Sequence, residues 1–142
     1  CGRRAAVAGL TSVVVTSAAV NLVGKLLTNR RRPDRAGHKV IEGRWVPMPT
    51  STSFPSGHSA SAFAFAEGVR GVWPAASAPL FGAAALVAYS RVHTGVHYPG
   101  DVAVGSAIGI ILGHTVGPLA LRAAGPVPAG GDRGVQVVGV GG

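Results

Sequence analysis

Residues 101–122 read DVAVGSAIGIILGHTVGPLALR, an apolar run in which Gly105, Gly109, Gly113 and Gly117 stand four apart. A period of four keeps these positions on one face of a helix, and small residues at that spacing let membrane helices approach closely. The row continues backwards through Asp101 and His97, so the face carrying Asp101 is expected to be buried. At about 1.5 Å per residue the run is long enough to cross a hydrocarbon core of roughly 30 Å.

Immediately upstream lies a polar, turn-rich hinge, Ser90-Arg91-Val92-His93-Thr94-Gly95-Val96-His97-Tyr98-Pro99-Gly100-Asp101. Asp101 follows Pro99-Gly100, where a helix N-cap belongs. The hinge ends a third apolar segment, residues 75–92. A second, from about Ser56 to Val72, is short for a full crossing; its start, Phe54-Pro55-Ser56-Gly57-His58-Ser59, tolerates a first-turn proline and has Ser53 available as a cap. The first segment, residues 5–29, can span, and its Ser17, Asn21 and Lys25 form a polar ridge expected to face protein. Arg3 and Arg4 before an apolar run also fit a signal peptide, but the run is long and has no clear small-residue cleavage site. The fold class is therefore all-α: an integral-membrane helical bundle with about four transmembrane helices visible.

Composition agrees. Only 13% of the 142 residues are charged, well below the usual quarter of a soluble domain. Thirteen Lys and Arg, eleven of them Arg, face five Asp and Glu. That excess suits anionic substrates or headgroups, and its placement favours phosphate on a lipid over nucleic acid. Cys1 is the only cysteine, which rules out an internal disulfide and a Cys-based metal site. Residues 30–55, rich in arginine and proline, form a loop outside the bilayer core, with Trp45 and Phe54 at the interface. Residues 1–122 read as the membrane domain and 123–142 as a Gly/Pro-rich flexible tail or the start of a further domain. The Cys-Gly-Arg-Arg opening and Gly-rich close fit a fragment of a longer protein, with further helices upstream.

If the segments alternate in direction, one end of the bundle gathers Lys25 and Arg32, Ser56-Gly57-His58, Arg91, and His97 with Asp101. Cations to neutralise oxygens, backbone N–H groups at a helix start and two histidines suit a phosphoryl group, one histidine attacking while the other protonates the leaving oxygen.

In order and spacing these residues resemble the three-part signature of the type 2 phosphatidic acid phosphatase (PAP2) superfamily, which includes vanadium haloperoxidases. The parts are Lys25, six residues and Arg32-Pro33; Pro55-Ser56-Gly57-His58; and Ser90-Arg91, five residues, His97, three residues and Asp101. The resemblance implies a metal-independent phosphatase without a cofactor, on an all-helical core that commonly has six transmembrane helices. It implies that His97 is the nucleophile forming a phosphohistidine, that Asp101 holds its ring, and that His58 protonates the leaving group. Lys25, Arg32, Ser56, Gly57 and Arg91 would bind phosphate. The expected substrate is a polyprenyl or glycerolipid phosphate or pyrophosphate, met at an extracytoplasmic face of the cell membrane.

Alternatives are a vanadium-dependent haloperoxidase using the same pocket and a non-catalytic lipid-binding module. A di-metal phosphatase is poorly served, because Asp101 is the one acid among the matched positions. His93 reads as structural, His114 as packed or interfacial, His38 as a solvated loop residue, and Asp34 as an ion-pair partner of Arg32 or Arg35.

Overall fold

Small residues and apolar runs place four helices where the sequence expects them. The computed structural model describes residues 2–27, 31–32 and 53–125, apart from the side chains of residues 25 and 27, and all regular structure among the described residues is helical. Helix α1 spans Gly2–Leu27, α2 Gly57–Arg70, α3 Ser77–His93 and α4 Pro99–Ala123, with one 3-10 turn, Pro74–Ala76, leading into α3. Three stretches, Gly2–Gly24, Pro74–His93 and Pro99–Ala123, are long and apolar enough to cross a membrane. At 14 residues, α2 is about 21 Å long and does not reach across.

This short helix is nevertheless the centre of the bundle, because α1, α3 and α4 all pack on it. Its buried side chains are mostly small, including Ser59, Ala60, Ala64 and Ala66. The α4 glycine row lies against them: a Cβ on Gly105 would sit 2.5 Å from the Ser56 carbonyl oxygen, one on Gly113 2.6 Å from that of Ala64, and one on Gly109 closer still to that of Ala60. Backbone therefore meets backbone along the whole ridge, a closeness that supplies dispersion where lipid offers no hydrophobic drive between helices.

Helix α1 covers the same pair from another side, burying Ala5, Ala8, Ser12, Thr16 and Val20. Its Gly9 seats Phe65, whose ring lies 2.7 Å from where a Cβ would be, and Gly68 of α2 sits equally close to Ser12 Oγ. Ser17 meets Ser61 of α2 at 3.0 Å, so that part of the polar ridge faces protein, whereas Asn21 is exposed. Helix α3 packs on α2 through Phe63 and Phe81, with ring centroids 5.9 Å apart, and barely touches α4. Leu10, Val14, Leu22, Leu86, Ile111 and Leu119 face outward, as lipid-contacting positions do.

Two helix starts differ from expectation. Helix α4 begins at Pro99, with Tyr98 in extended conformation at the N-cap and Asp101 at the third helical position. Proline has no N–H to leave unpaired in a first turn, which moves the start ahead of Asp101. The Asp101 carboxylate still serves the helix end, accepting the Tyr98 N–H at 2.9 Å. Ser53 does not cap α2; that position belongs to Ser56, which makes no side-chain capping bond. Helix α3 stops at Thr94, followed by Gly95 at φ 64°, the left-handed conformation that glycine adopts without steric cost after a helix end. Pro33, Asp34, His38, Trp45 and the tail beyond residue 125 lie outside the described residues.

Candidate active site

The hinge between α3 and α4 is tied back on itself, since the N–H groups of Val96 and His97 both donate to the Arg91 carbonyl at 3.2 Å. The start of α2 is locked to the start of α4 by the Ser56 N–H, which donates to the Asp101 carbonyl at 2.9 Å. These backbone bonds carry His97 into a buried position where the α2 approach, the α4 start and the segment after α1 meet.

The His97 ring is held at both nitrogens. Its Nδ1–H donates to the Ser53 carbonyl at 2.7 Å. Nε2 therefore carries the lone pair, which accepts from Arg32 Nη1 at 3.3 Å. The same Arg32 nitrogen donates to the Val96 carbonyl at 2.8 Å, fixing the guanidinium beside the ring. Burial, then the Arg32 charge, hold the His97 pKa below its ordinary value, with His58 acting weakly in the same direction; the Ser53 carbonyl and the Asp101 carboxylate oppose them. The outcome is a neutral imidazole with its Nε2 lone pair turned toward a cation, the state required of a nitrogen nucleophile.

The contact between Asp101 and His97 is less direct than the resemblance implies. Asp101 Oδ2 is 3.7 Å from His97 Nδ1, beyond hydrogen-bond reach, because the Ser53 carbonyl takes the Nδ1 proton. Asp101 Oδ2 instead accepts from the Ser53 hydroxyl and the Tyr98 N–H. Ser53 was legible only as a possible cap; nothing local announces a bond to a residue 48 positions away.

His58 stands exposed in the first turn of α2, within the electrostatic reach of Arg91 and Arg32. Arg91, half-buried, has its Nε 3.2 Å from Ser90 Oγ. Ser56 is fully buried, its hydroxyl 3.0 Å from that of Ser59 and its N–H committed to Asp101, while Gly57 begins α2. Lys25 lies in the last turns of α1 and its side chain is outside the described residues. The structure thus gathers His97, Arg32, Asp101, Ser56, Gly57, His58 and Arg91 at one end of the bundle. His93 is paired with the Tyr89 hydroxyl at 3.2 Å.

At the other end of α2 the buried Glu67 binds Arg70, with the Nε contact at 2.8 Å, and His114 at 3.0 Å. Glu67 was not anticipated, since a single acid in an alanine-rich run carries no pattern. His114 accordingly sits at the far end, as its place well down α4 predicts.

Residues 6–121 match the PAP2 superfamily. The chain belongs to that superfamily. It is 39% identical over 110 residues to the decaprenylphosphoryl-5-phosphoribose phosphatase of Mycobacterium tuberculosis, in strains CDC 1551 and H37Rv alike, covering 78% of this chain and 58% of the relative. It is 34% identical over 104 residues to the lipid A 1-phosphatase of Rhizobium etli, covering 70% of this chain and 43% of the relative. The chain thus spans less than two thirds of the length of these curated relatives. No solved structure matches it significantly.

Proposed function

We propose that this PAP2 chain forms the catalytic core of a membrane phosphatase that releases phosphate from a polyprenyl or glycerolipid phosphate or pyrophosphate through a phosphohistidine. The observation that carries the reading is the buried His97 ring, with Nδ1 on the Ser53 carbonyl, Nε2 facing the Arg32 guanidinium, and a pKa that burial and Arg32 hold below its ordinary value. A phosphate drawn to Arg32 and Arg91 brings its phosphorus to that lone pair.

In the first step the Nε2–P bond forms and the P–O bond to the leaving group breaks, the leaving oxygen, an alkoxide from a monophosphate or a lipid monophosphate from a pyrophosphate, taking a proton from His58. In the second, water loses its proton to His58 and attacks phosphorus, the N–P bond breaks and phosphate leaves. Arg32 and Arg91 stabilise the equatorial oxygens in both steps, as does Lys25 by its position in the signature. Both relatives are named as phosphatases, one of a decaprenylphosphoryl compound and one of lipid A, which supports hydrolysis over halide oxidation. The apolar spans support chemistry at a membrane surface. The signature's resemblance favours an extracytoplasmic face for it, with Arg3, Arg4, Arg70 and Arg122 on the opposite side; the positive-inside rule does not decide, because the loop from Arg30 to Arg44 carries still more positive charge at the catalytic end.

Two results test this. Phosphate release from a panel of polyprenyl and glycerolipid phosphates is expected to persist in excess chelator and to fall with vanadate, which mimics the five-coordinate state; loss of activity on chelation, restored by a divalent metal, would contradict it. Arg32→Gln is expected to lower kcat/KM by about tenfold to a hundredfold, because one charge-assisted clamp is lost. The Arg32 charge depresses the His97 pKa, so its removal raises that pKa. The acid limb of the kcat/KM profile should then move to higher pH, and since the substrate's own ionisation is common to both proteins, an unmoved limb would place Arg32 away from the nucleophile.

A further inference from the structure

We infer that Ser53 is a positioning residue through which Asp101 acts on His97. The inference rests on the reading of His97 as the nucleophile. Ser53 is fully buried and uses two groups at once. Its carbonyl accepts the His97 Nδ1–H at 2.7 Å, and its hydroxyl donates to Asp101 Oδ2. Asp101, itself fully buried, lies 3.7 Å from the ring nitrogen. The order of contacts is therefore carboxylate, serine hydroxyl, serine carbonyl, imidazole.

Each link has a separate task. The carbonyl is a pure acceptor, so it selects the tautomer with hydrogen on Nδ1 and leaves Nε2 free. The carboxylate anchors the Ser53 side chain and, by accepting the Tyr98 N–H, joins the same anchor to the first turn of α4. The Ser56 N–H to Asp101 carbonyl bond closes the arrangement from the α2 side. The short segment that presents the Ser53 carbonyl is thus fixed relative to the α4 start, and with it the direction of the Nε2 lone pair. Without the hydroxyl, Asp101 loses a donor, and the Nδ1–H has a carboxylate 3.7 Å away that competes with the carbonyl for it. A ring that swings toward it takes Nε2 off the line of attack.

The test compares Ser53→Ala, Asp101→Asn and the double variant with the parent protein in detergent micelles, using the best substrate of the lipid panel. Ser53→Ala keeps the carbonyl and removes only the hydroxyl. Misalignment of a nucleophile by about 1 Å costs on the order of a hundredfold, so kcat is expected to fall about tenfold to a hundredfold with KM within about twofold. The double variant should be no slower than the slower single variant. Wild-type kcat in Ser53→Ala, or losses that multiply in the double variant, would overturn the inference. Nitrogen NMR of His97 gives a readout that does not need Ser53→Ala to fold: Asp101→Asn should retain the Nδ1–H tautomer, because the carbonyl still selects it, and a switch to Nε2–H would show that Asp101 sets the tautomer directly. Turnover that survives His97→Ala would instead remove the nucleophile reading, whatever Ser53 does.

Discussion

Replacing His97 with alanine is expected to lower phosphate release by at least about four orders of magnitude, as loss of a covalent nucleophile does in enzymes whose catalytic groups act as a unit. Geometry gives the reason. Nε2 is the nitrogen that carries the lone pair, it faces Arg32, and the other ring nitrogen is committed to the Ser53 carbonyl. Because the ring is small against the bundle and sits in the hinge, outside the three long apolar stretches, thermal unfolding should change far less than turnover. Near-normal turnover in a folded His97→Ala protein would contradict the proposed chemistry.

The second large effect concerns the fold. Gly109→Val is expected to destabilise the bundle by about 3 kcal/mol, at the upper end of the usual cost of overpacking, since the first added carbon already meets backbone. A Cβ there clashes with the Ala60 carbonyl oxygen and lies 3.0 Å from the Ala60 Cα, neither of which is a movable side-chain end. Relief requires α4 to withdraw from α2, and Asp101 and His97 are carried on the same helix start. Turnover should fall together with thermal stability. Gly82→Ala in α3 is the matched control, because nothing lies within 4 Å of its added carbon. It should be neutral or, by helix propensity, stabilising by up to about 1 kcal/mol. Equal behaviour of the two variants would mean that the glycine row is compositional and does not form the α2–α4 seam.

Much of this was legible because the signals are local or periodic. The four-residue glycine spacing defines the inner face of α4 without reference to any other helix. Alternating helix directions bring Arg32, His58, Arg91 and His97 to one end. What escaped depends on long-range contact. Ser53 stands three residues before Ser56, where a cap is the natural reading, and only the meeting of the α2 and α4 starts turns its hydroxyl to Asp101. That meeting also interposes the Ser53 carbonyl between two side chains whose spacing of four suggests direct contact. The central place of α2 was likewise hidden, since a short apolar segment looks peripheral until its small side chains are seen to admit three neighbours. Glu67 could be buried only because Arg70, one turn on, and His114, on another helix, satisfy its oxygens.

The central claim is that phosphate passes through a covalent bond to His97. Its most direct measurement is a rapid acid-free quench of the protein with phosphorus-labelled lipid phosphate during turnover, followed by mapping of the label. A phosphoenzyme that is stable in alkali, labile in acid, located on His97 and absent from His97→Ala is the predicted result. Steady turnover with no label on the protein, or label on a residue other than His97, would contradict it.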